Sequence, residues 1–239
     1  MIERPILFSG PMVRAILDGR KTQTRRVVKL PHANPLGEWQ PTAIGGENGG
    51  RTASGETVPL QGAIWHTRTG DCLMSPHGQP GDRLWVRETT YDVERNGFVG
   101  PVFVESDEGA HAAAWGWGES DDPDYIEPYE LRKRPAIHMP RSMARITLEI
   151  VGVRVERLRN ISAADARAEG IEFRDDHIAG RLCRRWRSYG SVDGWFPEGR
   201  DIAPIHSFQT LWDSLNATRG HGWEANPWVW VVEFRRTES

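Results

Sequence analysis

Residues 144–158 carry the pattern that most restricts the fold of this chain. From Ile146 onward, apolar residues alternate with polar ones, and after Val151 the alternation continues in the shifted phase. Such alternation places one set of side chains on each face of an extended chain, which predicts a long β-strand. The change of phase near Val151 and Gly152 predicts a bulge or a bend in this strand.

Other segments have the patterns of shorter strands and of helices. The predicted strands are Ile6–Phe8, Lys21–Val28, Arg83–Glu88 and Trp228–Phe234. The predicted helices follow Ser9-Gly10-Pro11 and end at Gly19, run from Ile161 to Gly170, and include Phe208–Leu215. Mostly antiparallel strands with a few short helices favour an α+β chain. In a unit this small they also favour a closed or nearly closed barrel, with a helix covering an opening.

Three long segments separate these elements and have little periodicity. They span approximately residues 31–81, 92–137 and 172–205, and the first contains the glycine pairs at 45–46 and 49–50. Such segments are typical of loops, so we expect three long loop insertions in a single domain of residues 1–239. The first insertion is expected to be either a mobile lid or an ordered excursion.

Charge and composition limit the function classes. The formal net charge is −3, so the chain lacks the basic excess of proteins that bind long nucleic acids without sequence preference. Any nucleic-acid site must therefore be local. Basic residues crowd the first thirty positions, acidic residues crowd 119–130, and the 11 tryptophans include candidate platforms for base stacking. The crowded cations are Arg14, Arg20, Lys21, Arg25, Arg26 and Lys29.

Other features bear on location and cofactors. No run of about 18 apolar residues and no secretory leader pattern is present, which predicts a cytoplasmic protein that does not enter membranes. Two cysteines are too few for a disulfide framework. The chain has no glycine pattern for ATP, NAD or flavin, so no cofactor is expected. Cys72, His66 and His77 form at most a partial metal set, and no metal site is predicted.

Three segments together resemble the ASCH domain family, whose fold is a PUA-like barrel. They are Gly-Arg-Lys-Thr-Gln-Thr-Arg-Arg at 19–26, Gln-Pro-Gly-Asp-Arg-Leu-Trp-Val-Arg-Glu at 79–88, and the closing Trp-Val-Val-Glu-Phe strand. The likeness is greatest to long members with insertions, which are common in phages and prophages. The resemblance implies a bacterial cell context, binding of RNA or modified nucleotides, or hydrolysis of N4-acylated cytidines such as N4-acetylcytidine.

The resemblance also implies site residues. Small bacterial amidohydrolases of this family use a lysine and a threonine of this motif, which match Lys21 and Thr24. Their glutamate, at the end of the helix after the long strand, matches Glu169 in the run Ala-Glu-Gly-Ile. Glu88 is the alternative carboxylate if that helix pairs differently. The acyl group, the choice between free nucleoside and polymer, and the oligomeric state stay open.

Amide hydrolysis needs a nucleophile, a base, an acid for the leaving nitrogen and donors for the oxyanion. Thr24 is expected to attack or to position a water. Lys21 would be the base if desolvation lowers its pKa, and Glu169 would shuttle protons or orient the lysine. Arg25, Arg26 or backbone N–H groups would hold the oxyanion. Because positions 21 and 24 point to opposite faces of a regular strand, the chain must turn or bulge between them.

The alternative function is a non-catalytic module that binds RNA or a modified base. Single-stranded RNA or DNA, or a small nucleoside, would then be held by stacking and by contacts to the base edge. Trp85, expected to face outward from its strand, is the stacking candidate, whereas Trp212 and Trp228 are expected in the core. The arginines within 181–187 would contact phosphates. A structural protein of a virion is a third class, which no residue supports.

Overall fold

The computed structural model of the chain describes residues 1–47, 51, 54–192, 194–197 and 202–237. The strands are β1 (Glu3–Leu7), β2 (Gln23–Val27), β3 (Trp39–Ile44), β4 (Gln61–His66), β5 (Cys72–Met74), β6 (Arg83–Arg87), β7 (Thr90–Tyr91), β8 (Val102–Phe103), β9 (Lys133–Arg134), β10 (Thr147–Arg157), β11 (Phe173–Ile178), β12 (Arg181–Arg187), β13 (Trp195–Pro197) and β14 (Trp228–Arg236). The helices are α1 (Gly10–Leu17), α2 (Asp107–Trp115), α3 (Ala163–Ala168) and α4 (Ile202–Asn216). The prediction of a mixed chain, mostly sheet with a few short helices, is confirmed.

A five-stranded sheet forms the centre of the molecule, in the order β1-β6-β10-β14-β2. The β1 and β6 strands are parallel, and every other neighbouring pair is antiparallel. The predicted long strand is present as β10, and its pairing with β14 shifts between Ile150 and Gly152. The predicted bulge is thereby confirmed. None of the helices in the described part of the chain is long and apolar enough to span a membrane.

The β14 strand is buried on both faces. Val229 and Val231 belong to a core shared with Phe208 and Leu211 of α4. Trp230 and Val232 belong to a second core, on the opposite face, with the alternating apolar residues of β10. An almost continuous apolar run is what a strand needs when both of its faces are covered. Trp212 lies in the first core and Trp228 packs, half-buried, against the second, as predicted.

The three insertions are not loops, because each forms a three-stranded sheet. The orders are β3-β4-β5, β8-β7-β9 and β11-β12-β13, with β7 lying just before the second insertion. The expectation of unstructured insertions is therefore wrong. The strands of the second of these sheets are only two residues long, too short for a periodic pattern to show in the sequence. Within the predicted insertions, residues 48–50, 52–53, 193 and 198–201 lie outside the described residues.

The first of these sheets packs directly on the central sheet. Ala63 and Ile64 of β4 are fully buried, and Ile64 belongs to the core formed by β10. A Cβ atom on Gly62 would lie 2.6 Å from the Cα atom of Arg154 and 2.9 Å from the carbonyl oxygen of Val153. Backbone atoms at this distance leave room for a glycine only. The described part of this segment is thus an ordered excursion.

We expect Gly62→Ala to destabilise the protein by about 1–3 kcal/mol, because the added methyl group would force the backbones of β4 and β10 apart. Urea unfolding followed by circular dichroism measures this loss. Gly190→Ala is the matched control, since a Cβ atom there meets nothing within 4 Å. Equal stability of both variants and the parent would contradict the packing of β4 on β10.

Candidate functional site

The chain between α1 and β2 makes a turn that brings Lys21 to the end of α3. The backbone N–H groups of Arg20 and Lys21 both donate to the carbonyl oxygen of Ala15, at 2.8 and 2.9 Å. Lys21 then forms an isolated antiparallel bridge with Glu169, and regular pairing of β2 with β14 begins at Gln23. Lys21 therefore precedes the strand that carries Thr24. The irregularity expected between these two residues is present.

Local sequence signals place Glu169 at the end of α3. The Ser162 hydroxyl accepts a hydrogen bond from the backbone N–H of Asp165 at 3.0 Å and so caps the start of the helix. Glu169 is the C-terminal cap, and Gly170 follows in the left-handed conformation with φ of 84°. A Cβ atom on Gly170 would lie 2.7 Å from the Cβ atom of Lys21. Glycine thus both ends the helix and permits its approach to Lys21.

A buried carboxylate joins two buried cations at this point. Lys21 Nζ donates to Glu169 Oε2 at 3.0 Å, and Arg25 Nη1 donates to Glu169 Oε1 at 2.9 Å. The side chains of Lys21, Glu169 and Arg25 are 2%, 5% and 0% exposed. Charges removed from water to this degree need close partners, because desolvation penalises each of them. The Glu169 carboxylate is the group that both cations share.

The Arg25 guanidinium extends this network to the central sheet. Its Nε donates to Glu156 of β10 at 3.2 Å, and its Nη2 lies 3.5 Å from Asp165 of α3. Arg154 of β10 in turn pairs with Asp165 at 2.9 Å and with Glu233 of β14. Arg25 is held from three sides by carboxylates. It therefore positions Glu169 and has little freedom to follow a ligand.

Burial lowers the pKa of the Lys21 amine from its usual value of 10.5, and the nearby guanidinium groups of Arg26 and Arg25 lower it further. Glu169 opposes this shift without cancelling it. The three donors of the Lys21 ammonium are all used, by Glu169 Oε2 and by the carbonyl oxygens of Gln23 and Glu169, both at 2.8 Å. The Lys21 amine thus lies among three acceptors and holds a proton less tightly than a lysine in water. Such a group can both release and accept a proton during a reaction.

A cavity of about 370 Å³ lies beside this network. Its walls include five of the residues predicted for the site, namely Lys21, Thr24, Arg25, Arg26 and Glu169. Its volume lies within the range of about 300–1,000 Å³ that is usual for small-molecule sites. The Thr24 hydroxyl makes no hydrogen bond with any described residue, so it is free to bind a ligand or a water.

Aromatic walls of this cavity were not found by sequence reasoning. Phe8, half-buried just after β1, lies with its ring centroid 5.4 Å from Lys21 Nζ and 5.4 Å from the Arg26 guanidinium carbon. Phe208 and Trp212 of α4 also line the cavity. The spacing of α4 marked these two residues as core, and no signal separates a core aromatic from one that also borders a cavity.

Two predicted ligand contacts lie outside the cavity. Trp85 is 7% exposed, because β6 lies between β1 and β10 and the Arg87 guanidinium carbon covers the ring at 4.9 Å. The prediction of an outward-facing stacking residue is therefore wrong. Glu88 is 1% exposed and accepts a hydrogen bond from Arg145 Nη2 at 2.8 Å. Neither residue lines the cavity, and Glu169 supplies its carboxylate.

The arginines proposed for phosphate contacts, within 181–187, all lie on β12. Pairing with β11 sets Arg184 opposite Asp175, and the two form an ion pair at 2.8 Å. Arg185 pairs with Asp176 at 3.4 Å. Adjacent carboxylates thus compensate these two arginines, whereas Arg181 and Arg187 of the same strand form no ion pair with a described residue. Phosphate contacts from this strand stay a prediction.

The members of the partial metal set lie in different surroundings. His66 is fully buried against Trp39, with ring centroids 5.1 Å apart, whereas Cys72 is exposed. Within the described ranges, no group of three or more His, Cys, Asp or Glu side chains is arranged to hold a metal ion.

No protein-family model, curated protein or solved structure gives a significant match to this chain. Membership of the ASCH family therefore stays a prediction from the three motifs. The function has to be argued from the geometry of the cavity itself.

We expect the amine of Lys21 to titrate below 10.5, and to titrate lower still in Glu169→Gln, which loses the carboxylate that raises the pKa. The chain contains three lysines, Lys21, Lys29 and Lys133, so ¹³Cε resonances of labelled lysine are assigned with single Lys→Arg variants. NMR titration gives each midpoint. A Lys21 midpoint at or above 10.5 in the parent protein would contradict the effect of burial.

Proposed function

We propose that this protein is an amidohydrolase that cleaves the acyl group from an N4-acylated cytidine or a related modified nucleoside. The observation that carries the proposal is the buried Lys21–Glu169 ion pair beside the unbonded hydroxyl of Thr24, in one cavity. The same three residues match the catalytic residues of the small ASCH amidohydrolases, and this match identifies the proposed substrate class.

A PUA-like barrel is the proposed architecture of the core. The end strands of the central sheet, β1 and β2, are linked by a hydrogen bond from Arg26 Nη2 to the carbonyl oxygen of Leu7 at 2.7 Å. The α4 helix covers one face of the sheet and borders the cavity. Both features support a sheet that curves toward closure, with the site at an opening near its two ends.

In the proposed reaction, the oxygen of Thr24, or of a water held by Thr24, forms a bond to the acyl carbonyl carbon. Lys21 first passes a proton to Glu169 across their 3.0 Å contact and then accepts the proton of the attacking oxygen. The carbon–nitrogen bond breaks as Lys21 returns this proton to the departing N4 nitrogen, and Glu169 then gives its proton back to Lys21. With water as nucleophile, the products are a carboxylic acid and cytidine. If Thr24 attacks, water hydrolyses the resulting ester in a second step.

Two arginines have separate roles in this proposal. Arg25 is a positioning residue, because its guanidinium is bound by Glu169, Glu156 and Asp165. Arg26 lines the cavity and uses one terminal nitrogen for Leu7, so it is the better placed of the two to contact the ligand directly, and backbone N–H groups are left to stabilise the oxyanion.

A second candidate function is binding of a modified base without turnover. The observation that favours it is the aromatic wall formed by Phe8, Phe208 and Trp212, which a base plane can contact. The full set of hydrogen bonds around Lys21 Nζ is also compatible with a fixed cationic contact. Both functions use the same cavity and differ in whether a product forms.

We expect purified protein to convert N4-acetylcytidine, or a longer N4-acyl cytidine, to cytidine, as followed by chromatography. Lys21→Ala and Thr24→Val should each lower kcat/KM by about 10²–10⁴-fold, the usual contribution of a group that transfers a proton. Valine keeps the β-branched shape of threonine in the strand, so the Thr24→Val variant should fold as the parent does. Lys133→Ala, at an exposed lysine outside the cavity, is the control and should match the parent.

Absence of cytidine across the acyl panel would reject the hydrolase proposal and favour the binding module. Parent-like activity of Thr24→Val would remove Thr24 from the mechanism.

We expect Phe8→Ala to weaken binding of N4-acetylcytidine by about 1–3 kcal/mol, the range for loss of one stacking contact. Binding is measured by calorimetry in the Thr24→Val background, where turnover is suppressed. Phe173→Ala is the matched control, because this aromatic residue is exposed and lies outside the cavity. Equal weakening by both variants would exclude a specific contact with Phe8.

A further inference from the structure

A second cavity of about 730 Å³ adjoins the first. The two share Arg26, Val27, Asn216 and Arg219 in their walls, so a ligand in one lies next to the other. The opposite wall of this second cavity, here called the basic groove, comes from the first insertion, which contributes residues 73–77 except Ser75. The groove therefore depends on the ordered excursion and is not a property of the central sheet alone.

The basic groove carries positive charge that the protein leaves uncompensated. Arg26, Lys29 and Arg219 line it together with His77 and His221, and its described lining contains no carboxylate. Lys29 and Arg219 are exposed, and neither forms an ion pair with a described residue. The formal net charge of the whole chain is −3, so this local excess of cations is not a reflection of overall composition.

The Arg26 side chain supplies a second, independent observation. Its Nη2 is bonded to Leu7, but its Nε is buried and has no hydrogen-bond partner among the described residues. Buried donors in native proteins are almost always paired. The Nε atoms of Arg83, Arg87 and Arg185 are also unpaired, but of these four arginines only Arg26 lines both cavities, so its guanidinium is the one that borders a ligand site. Guanidinium groups are suited to phosphate, because their planar set of donors matches its oxygens.

The pKa of the His77 imidazole reflects both burial and the positive charge of the groove. Burial lowers its pKa to about 4, and the cations Arg26 and Arg4 contribute to the shift. His77 is thus neutral at pH 7 and adds a hydrogen-bonding group without a charge. An anion placed in the groove would stabilise the imidazolium form and raise this pKa.

We propose that the basic groove binds a phosphate group attached to the ligand whose base occupies the first cavity. The substrate class is then a nucleotide, either a mononucleotide or a residue within a single strand, in place of a free nucleoside. This inference rests on the proposed function for the identity of the base. The phosphate contacts are Arg26, Lys29 and Arg219, with His77 as a neutral donor.

The first test uses inorganic phosphate alone, which is independent of the base and of any reaction. Titration of the His77 imidazole by NMR should show a midpoint that rises from about 4 when phosphate is added. The rise should be lost in the double variant Lys29→Gln/Arg219→Gln, whose residues are exposed and unpaired and can change without unfolding the protein. A midpoint unaffected by phosphate, or an equal rise in the double variant, would contradict the binding of phosphate in the basic groove.

The second test compares binding of N4-acetylcytidine, its 3′- and 5′-monophosphates and a short oligonucleotide that contains it, by calorimetry at low salt in the Thr24→Val background. The parent should bind at least one phosphorylated form 10-fold or more tightly than the nucleoside. Lys29→Gln, at a residue that lines the basic groove but not the first cavity, should lower this preference and keep the parent's affinity for the nucleoside. Lys133→Gln/Arg236→Gln removes two positive charges at exposed positions outside both cavities and should keep the preference.

Equal binding of nucleoside and nucleotides by the parent would overturn the inference. Tighter binding of the oligonucleotide than of either monophosphate identifies a single strand as the source of the phosphate. Equal binding of the oligonucleotide and a monophosphate identifies a mononucleotide. If phosphate raises the His77 midpoint but no N4-acylated compound binds, the proposed base is wrong while the anion site of the groove stands.

Discussion

The shared carboxylate of Glu169 is the interaction on which the organisation of the site depends. It satisfies Lys21 and Arg25, two cations removed almost completely from water, and it is the one carboxylate that both of them share. An ion pair of this kind adds little net stability, since desolvation offsets most of the attraction, but it strongly favours one arrangement of its partners. The turn before β2, the end of α3 and the close approach at Gly170 are all fixed by that arrangement.

The insertions change the surroundings of the site without changing the ion pair. The β3-β4-β5 sheet packs on β10 through Ile64 and Gly62, and the chain after it forms a wall of the basic groove. The β11-β12-β13 sheet instead pairs three of its arginines with its own aspartates and packs Trp186 into the core beneath α4. The first insertion therefore reshapes the surroundings of the cavity, whereas the third mainly extends the core.

Long periodic segments could be predicted from the sequence, but the burial of a strand face by other elements could not. The alternation of β10, its bulge near Gly152 and the cap-to-glycine spacing of α3 are local patterns, and the structure contains all three. Alternation assigned Trp85 to a face but carried no information on whether that face is covered, so its exposure was predicted wrongly. Phe8 was missed because one aromatic residue after a short strand has no period to detect. Lys21, Thr24 and Glu169 were identified by resemblance, and only the fold shows that they border one cavity.

The position of β14 in the sheet has a consequence for the order in which the protein is made. Thr24 on β2 pairs with Val232 on β14, and the described residues offer β2 no other strand as neighbour. During synthesis, β2 emerges from the ribosome long before the strand that completes it. The nascent chain must therefore keep the basic segment around Lys21 and Arg25 unpaired in solution until β14 is available. Closing such a distant contact is slow, so the site is among the last parts of this protein to mature.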